Sequence, residues 1–270
     1  MRPVAQTAAL LLLTLHLTHG AERVPASFPR DHSKWDSLLK SYVNTEGRVD
    51  YQNWIKTGKQ ELEAYLQSLA EPWPVDLNPP GEKSALINSY NAFTVYWVLV
   101  NYPVQSIWQT DHPFSAVRHL INGRKMSLDQ IETRLRALGD PRTHAALVCA
   151  ARSCPPLRRE AYVADRLSDQ LDDNARTWLR NTGLNTFFPD RRLAQVSTIF
   201  KWYAEDFRSG GGSVEKFLAQ YAPDSKSRFM RQTSFKIEYK TYNWGLNDTS
   251  TLGSDYSRMR FLWDWFRNRN

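Results

Sequence analysis

Apolar residues recur every three or four positions over much of the chain, which is the spacing of an amphipathic helix. The first pattern runs from Trp35 to Val43, and a capping box formed by Ser127 and Gln130 begins a later one. The other patterns predict helices at residues 62–69, 82–101, 128–138, 164–180 and 214–222. The prolines between residues 71 and 81 predict a loop, because proline lacks an amide hydrogen and restrains its neighbour.

The segment from Glu82 to Asn101 is the most apolar of these helices, and its pattern is typical of a helix buried on several sides. Ser84, Asn88 and Asn91 nevertheless share one narrow face of it. An unpaired buried amide costs about 1–3 kcal/mol, so these side chains must meet polar groups or a water-filled cleft. Two roles stay open for them: holding a neighbouring loop, or taking part in a functional site.

Alternating patterns predict only a few strands. Residues 117–121 and 124–126 flank Asn122-Gly123, a pair typical of a tight hairpin turn. Two strands are expected around Pro189-Asp190 and one at residues 235–239, and residues 49–51 are expected to be extended. Helices dominate and no internal repeat is present. The pattern therefore predicts an α+β fold, a mostly helical single domain with a small antiparallel sheet.

The first twenty residues resemble a secretory signal peptide. Arg2 precedes a short apolar run at residues 8–17, and small residues follow near Gly20 and Ala21. The run is too short to span a membrane, although a retained anchor is the alternative. We therefore expect a secreted or periplasmic protein. Its predicted parts are a signal peptide at 1–20, an exposed lead-in at 21–32, a globular domain at 33–247 and an aromatic C-terminal extension at 248–270.

Charge narrows the class of partner only slightly. The chain has 35 basic and 28 acidic residues, a net charge of +7, and removal of residues 1–20 leaves 34 minus 28, or +6. The arginines form short, scattered tracts typical of solvated faces, with at most weak attraction to anionic surfaces. No zinc-finger spacing or RNA-binding motif is present, so no nucleic acid is expected. The many aromatic residues indicate an aromatic core or groove, and a small-molecule or peptide-like ligand is expected.

Both cysteines lie in one stretch, residues 144–157, and three interpretations compete for them. In the first, one cysteine is a nucleophile. A helix expected to begin near Leu157 would favour its thiolate. His144 is five residues from Cys149, so the two cannot pair within regular structure, whereas Cys154 is reachable if the loop folds back. His119 is a further candidate base.

In the second interpretation, Cys149 and Cys154 form a disulfide. The oxidising environment of an exported protein favours this bond, which would stabilise the fold by about 2 kcal/mol. In the third, both thiols are buried as small apolar residues. Two cysteines and one histidine are too few for a closed zinc site, so no metal and no cofactor are expected.

Several motifs resemble those of one protein family. They are GRVDY at 47–51, INSYNA at 87–92, YPVQSI at 102–107, the cysteine stretch at 144–157, IFKWY at 199–203 with Asp206-Phe207, and YNWGLN at 242–247. With these motifs the chain resembles the family catalogued as domain of unknown function 547, over about residues 35–247. The resemblance implies one domain that covers nearly all of the exported chain. It supplies no reaction.

The motif residues suggest thiol-dependent acyl transfer on an amide or peptide-like substrate as a first hypothesis. Its candidate catalytic residues are Cys154 as nucleophile, Cys149 as the alternative nucleophile, His144 as base, Asn88 and Asn91 for the oxyanion, and Asp206 as carboxylate. The second hypothesis is a non-catalytic binding or envelope-scaffold module. In that case the disulfide is structural and the aromatic residues form a groove.

Overall fold

A long buried helix, α4 (Pro79–Asn101), runs through the larger of two hydrophobic cores. Asn78 caps it, because its side-chain oxygen accepts a hydrogen bond from the amide of Gly81 at 2.8 Å. Pro79 and Pro80 occupy the first turn, where a helix does not need their amide hydrogens. The helix therefore begins before the predicted Glu82, and the prediction of a loop at residues 79–81 is wrong.

The computed structural model describes residues 31–74, 77–232 and 234–268. The predicted signal peptide and most of the predicted lead-in lie outside these residues. Within them the chain is 54% helical and forms two small sheets, which confirms the mostly helical α+β fold.

Three helices precede α4: α1 (Ser33–Tyr42), α2 (Tyr51–Thr57) and α3 (Lys59–Ala70). Helices α2 and α3 pack on α4, and α1 packs on α2 and α3. The ring of Trp35 stacks on that of Tyr65 with 5.8 Å between centroids, and it also contacts Trp54. Helix α2 replaces the extended segment predicted near residue 51. Asp50 starts it by accepting a hydrogen bond from the amide of Asn53.

The predicted hairpin is confirmed as β1 (His119–Ile121) and β2 (Arg124–Met126), which pair antiparallel. Asn122 and Gly123 both have positive φ, as the tight turn requires. Their amides donate to the last carbonyls of α3, which joins the hairpin to that helix. The predicted capping box is also present, and it opens α5 (Leu128–Ala137).

A smaller core lies in the C-terminal half, where the short helix α6 (Thr143–Ala146) and α7 (Leu167–Arg180) meet later elements. Trp178 of α7 stacks on Phe200, whose ring in turn contacts Phe207. The later elements are β3 (Thr186–Phe188), β4 (Leu193–Val196), α8 (Ile199–Trp202), α9 (Ala204–Gly211), α10 (Val214–Tyr221), α11 (Asp224–Gln232) and β5 (Lys236–Tyr239).

The hairpin is an antiparallel sheet, as predicted, whereas the sheet of the smaller core is mixed. β3 and β4 pair antiparallel across a short turn, whereas β4 and β5 pair parallel. Four helices, α8 to α11, lie between β4 and β5 in sequence. A crossover of that length lets β5 return in the same direction as β4.

The C-terminal extension forms helix α12 (Arg258–Arg267), which packs against the segment around Trp108. Of the alternatives for this extension, a docking helix rather than a poorly ordered tail is therefore observed. Across residues 31–74, 77–232 and 234–268, no helix combines the length and the hydrophobicity needed to cross a bilayer.

We expect Ser127→Ala to lower the free energy of unfolding by about 1 kcal/mol, because the first turn of α5 loses its cap. The matched control is Thr133→Ala, which removes an exposed hydroxyl from the same helix and should change stability by less than about 0.5 kcal/mol. Urea unfolding of the two variants measures the difference. Equal stability of both variants would contradict the capping role.

Candidate functional site

The cysteine stretch is mostly irregular, although its apolar half is buried. Helix α6 ends two residues after His144, and the chain then runs extended to Ala150, whose φ of 58° is left-handed. Ala151 pairs with Leu246 in an isolated antiparallel bridge, and the amide of Arg152 donates to the carbonyl of Gly245 at 2.7 Å. The YNWGLN motif therefore holds one end of the stretch.

The buried helix holds the other end. Asn91 donates from its side-chain nitrogen to the carbonyl of Ala146 at 2.9 Å, and its oxygen accepts from the amide of Val148 at 2.9 Å. Asn88 makes the equivalent pair of bonds with the backbone of Tyr162, at 2.8 and 3.0 Å. Both amides thus bind backbone on both of their polar atoms and are nearly inaccessible to solvent. Neither is among the residues that line the cavity described below.

Cys149 and Cys154 form a disulfide, and among the described residues neither thiol is free. The amide of Cys149 also donates to the sulfur of Cys154 at 2.9 Å. The hydroxyl of Tyr242 lies 3.0 Å from the sulfur of Cys149 and 3.2 Å from that of Cys154. In this state the pair is a rigid corner of the fold and contains no nucleophilic thiolate.

The helix expected near Leu157 is absent, so the prediction that Cys154 lies at a helix N-terminus is wrong. Residues 155–163 are irregular, and α7 begins only at Leu167. The nearby arginines are also engaged elsewhere. Arg152 donates to the carbonyls of residues 250 and 252, and Arg158 pairs with Glu160 and Asp173.

A cavity of about 600 Å³ opens beside the disulfide, and we call it the aromatic cavity. Both cysteines and His144 line it, together with Leu147 of the same stretch. Nine aromatic rings form much of its surface: Tyr90, Trp108, Phe114, Trp202, Tyr203, Tyr242, Trp244, Phe261 and Trp265. A pocket of this size, apolar with a few polar groups, is typical of a small-molecule site.

His144 is held by a carboxylate on one side and a ring on the other. Its Nε2 lies 2.8 Å from Oδ2 of Asp206, and its ring stacks on Tyr203 with 4.1 Å between centroids. Arg136 binds the same carboxylate with two donors, at 2.6 and 3.1 Å. Because an ionised carboxylate only accepts hydrogen bonds, Nε2 carries the proton and Nδ1 is left able to accept one.

Burial determines the protonation of this group. It lowers the pKa of His144 to about 4, against the opposing effect of Asp206. Burial alone would raise the pKa of Asp206, but hydrogen bonds from Arg136 and His144 hold it below its usual value. Arg136 lowers the pKa of Asp206 whether or not His144 is charged. We therefore describe the group as a neutral imidazole beside an ionised carboxylate.

Two further carboxylates line the aromatic cavity, Asp129 and Glu132 of α5. Desolvation raises the pKa of both. The hydroxyl of Tyr203 donates to Glu132, which opposes this rise by stabilising the ionised form. Of the described residues that line the cavity, none is a lysine or an arginine.

The structure thus brings some predicted site residues together and separates others. His144, Cys149 and Cys154 line the aromatic cavity. Asp206 binds His144 and is not part of the cavity lining. Asn88 and Asn91 lie in the core. Sequence reasoning missed Asp129, Glu132 and the contribution of α12. A spacing of three residues puts the two acids on one face of α5, which was the available signal.

We expect the free energy of unfolding to fall as the pH is lowered from about 6.5 toward 4. His144 has a folded pKa below its unfolded value, so the unfolded chain binds more protons in that window. Each such histidine contributes a slope of about 1.4 kcal/mol per pH unit. Urea unfolding between pH 5 and 6.5 should show this slope reduced in His144→Gln.

His119→Gln is a parallel test, because burial also lowers the pKa of His119 to about 4 and no described carboxylate contributes to that shift. It should reduce the slope by a similar amount. If His144→Gln kept the slope of the natural chain, His144 would already be protonated in the folded state.

Comparison with known proteins finds one similarity, which includes the cysteine stretch. No curated protein and no solved structure matches the chain. A family model described as protein of unknown function, DUF547, matches residues 75–179. That region contains α4, His144 and both cysteines, whereas Asp206 and Tyr242 follow it. The resemblance found in the motifs is thereby confirmed over residues 75–179, which match the DUF547 family of proteins of unknown function.

Proposed function

We propose that the protein binds a small organic or peptide-like ligand in the aromatic cavity, and that this ligand carries both a flat apolar group and a positive charge. The observation that carries the proposal is the lining of the cavity. It has nine aromatic rings, and among the described residues the charged side chains in it are those of Asp129 and Glu132. The chain as a whole is basic, with a net charge of +7. The acidic and aromatic lining of the cavity therefore favours the binding of a cation, although the protein as a whole is basic.

Aromatic rings and carboxylates bind an organic cation together. A ring face attracts a cation within about 6 Å of its centre, and the attraction grows when water is excluded. Trp202 is half exposed and its ring contacts that of Tyr242 at 4.8 Å, so it offers a flat surface near the cavity mouth. Glu132 supplies a partly buried negative charge, which is screened less than one at the surface.

The disulfide supports a binding role. A bond between Cys149 and Cys154 fixes one side of the cavity and leaves no thiolate to attack a substrate. Disulfides form and persist in oxidising compartments, which supports the predicted export to the periplasm or the exterior. In this proposal the sulfur atoms and Tyr242 shape the cavity.

We expect benzyltrimethylammonium to bind more tightly than benzyl alcohol, and benzoate to bind most weakly, at pH 8, where the carboxylates are ionised. Isothermal titration calorimetry measures the three affinities. Glu132→Gln should weaken binding of the cation about tenfold and leave that of the neutral alcohol unchanged, because one unit of negative charge is lost.

The control for this titration is Asp169→Asn, which removes an exposed carboxylate that does not line the cavity. Its affinity for all three probes should equal that of the natural chain. Benzoate binding as tightly as benzyltrimethylammonium would reject a cation site. The absence of binding by all three probes would reject a site for benzyl compounds.

A second candidate function is thiol-dependent hydrolysis or acyl transfer after reduction of the disulfide. It is favoured by the presence of His144 and both cysteines on one cavity, with Asp206 orienting the imidazole. Reduction by an external dithiol would free two thiols. His144 would take the proton of one thiol on Nδ1, and the resulting thiolate would attack the carbonyl carbon of an amide. The imidazolium would pass that proton to the leaving amine, and water or an acceptor amine would then release the acyl group from sulfur. Cys149 is the more exposed of the two.

The double variant Cys149→Ser/Cys154→Ser distinguishes these functions. For a binding protein we expect it to keep its affinity for benzyltrimethylammonium and to lose about 2 kcal/mol of stability, the effect of opening a short loop. Titration with a thiol reagent should find no reactive thiol in the folded natural protein before a dithiol is added. Amidase activity that appears in the reduced natural chain and is absent from the double variant would favour the second function.

A further inference from the structure

Helix α12 carries apolar side chains on two opposite faces. The inner face packs on the domain. Phe261 stacks on Trp244 with 5.3 Å between centroids and an angle of 11°, and the buried Asp264 accepts a hydrogen bond from Tyr256 at 2.8 Å. Asn268, just past the helix, donates to the carbonyl of Trp108. These contacts explain why the helix is attached to the domain.

The opposite face, which we call the outer stripe, consists of Met259, Leu262, Trp263 and Phe266, of which Leu262 lies at the edge and also lines the aromatic cavity. Spacings of three and four residues place them on one side of the helix. Their exposed fractions are 77%, 36%, 74% and 62%, and they are four of the nine exposed large hydrophobic side chains among the described residues. No other element of the described residues carries as many of these side chains, so the outer stripe is the candidate interaction surface.

The charges around the outer stripe are positive. Helical geometry puts Arg258 on one side of the stripe and Arg260 and Arg267 on the other. The single acidic residue within α12 is Asp264, which is buried on the inner face and lies 3.7 Å from Arg267. Arg260 also donates to the side chain of Gln105, and Arg267 to the carbonyl of Gln109. An apolar stripe with tryptophan and phenylalanine between arginines is the composition of a helix that lies in a lipid interface.

We propose that the outer stripe docks the protein onto the surface of an anionic lipid bilayer. Trp263 and Phe266 enter the boundary between headgroups and acyl chains, and the arginines bind the acidic headgroups. The helix lies flat and does not cross the membrane. Because Phe261 and Trp265 line the aromatic cavity from the inner face of the same helix, docking brings that cavity close to the bilayer.

A second copy of the chain fits the outer stripe less well. Two stripes facing each other would bring arginines of like charge together, which is unfavourable. A ten-residue helix is about 15 Å long and about 10 Å wide, so this face covers about 150 Å². A stable dimer buries roughly 800 Å² per partner. Binding to a bilayer does not require an interface of that area. The attraction between the arginines and anionic lipids adds to the free energy gained when the apolar side chains insert.

The test is flotation of the purified protein with vesicles. We expect binding to vesicles that contain phosphatidylglycerol, weak binding to pure phosphatidylcholine vesicles, and loss of binding as salt screens the arginines. Trp263→Ser/Phe266→Ser should weaken binding to the anionic vesicles about tenfold or more. Neither residue lines the aromatic cavity, so affinity for the ligand probes should not change.

The matched control is Val117→Ser/Leu120→Ser, which removes two exposed apolar side chains at the hairpin. It should float with anionic vesicles as the natural chain does. The proposal is overturned if the natural chain does not bind anionic vesicles at low salt, if it binds neutral vesicles equally well, or if both double variants bind alike. Self-association that requires the outer stripe, without vesicle binding, would instead identify a second copy as the occupant.

A measurement on the natural chain does not depend on any variant folding. Hydrogen exchange of residues 258–267 should slow when anionic vesicles are added, while exchange in the hairpin at residues 119–126 stays the same. Equal exchange in α12 with and without vesicles would also overturn the proposal.

Discussion

The pair of hydrogen bonds that Asn91 makes with the backbone at Ala146 and Val148 is the contact on which the site depends. Without it, a carbonyl and an amide would lie unpaired in the core, and each such group costs about 1–3 kcal/mol. The side chain of Asn91 belongs to α4, the most buried helix, so the packing of that helix sets its position. His144 lies just before the two bonded residues and Cys149 just after them, and both are thereby aimed into the same cavity.

Segments far apart in sequence complete this arrangement. The YNWGLN motif brings Tyr242 to both sulfur atoms and pairs Leu246 with Ala151. Asp206 comes from α9 and binds His144, while Arg136 of α5 keeps that carboxylate ionised. The cavity is therefore built where the two hydrophobic cores meet, and Tyr242 packs against both of them.

Local signals in the sequence predict much of the fold. The capping box at Ser127 and the turn at Asn122-Gly123 depend on neighbouring residues alone, and both are confirmed. Helix α2 was missed because Val49, Asp50 and Tyr51 alternate in hydrophobicity, whereas the Asp50 cap determines the conformation of the residues that follow it. The parallel direction of β5 and the approach of Asp206 to His144 depend on tertiary packing. Neither feature follows from a spacing along the chain. The sequence alone therefore predicted the identity of site residues and could not predict how they are arranged in space.

Helix α12 contributes its inner face to the cavity and its outer face to the surface. One rigid element that belongs to two environments can couple them. If a ligand moved Phe261 or Trp265, the same helix would carry Trp263 with it, and a partner that moved the outer face would in turn change the shape of the cavity. By thermodynamic linkage the two effects are equal: if occupancy of the cavity strengthens attachment at the surface by some factor, attachment strengthens occupancy by the same factor.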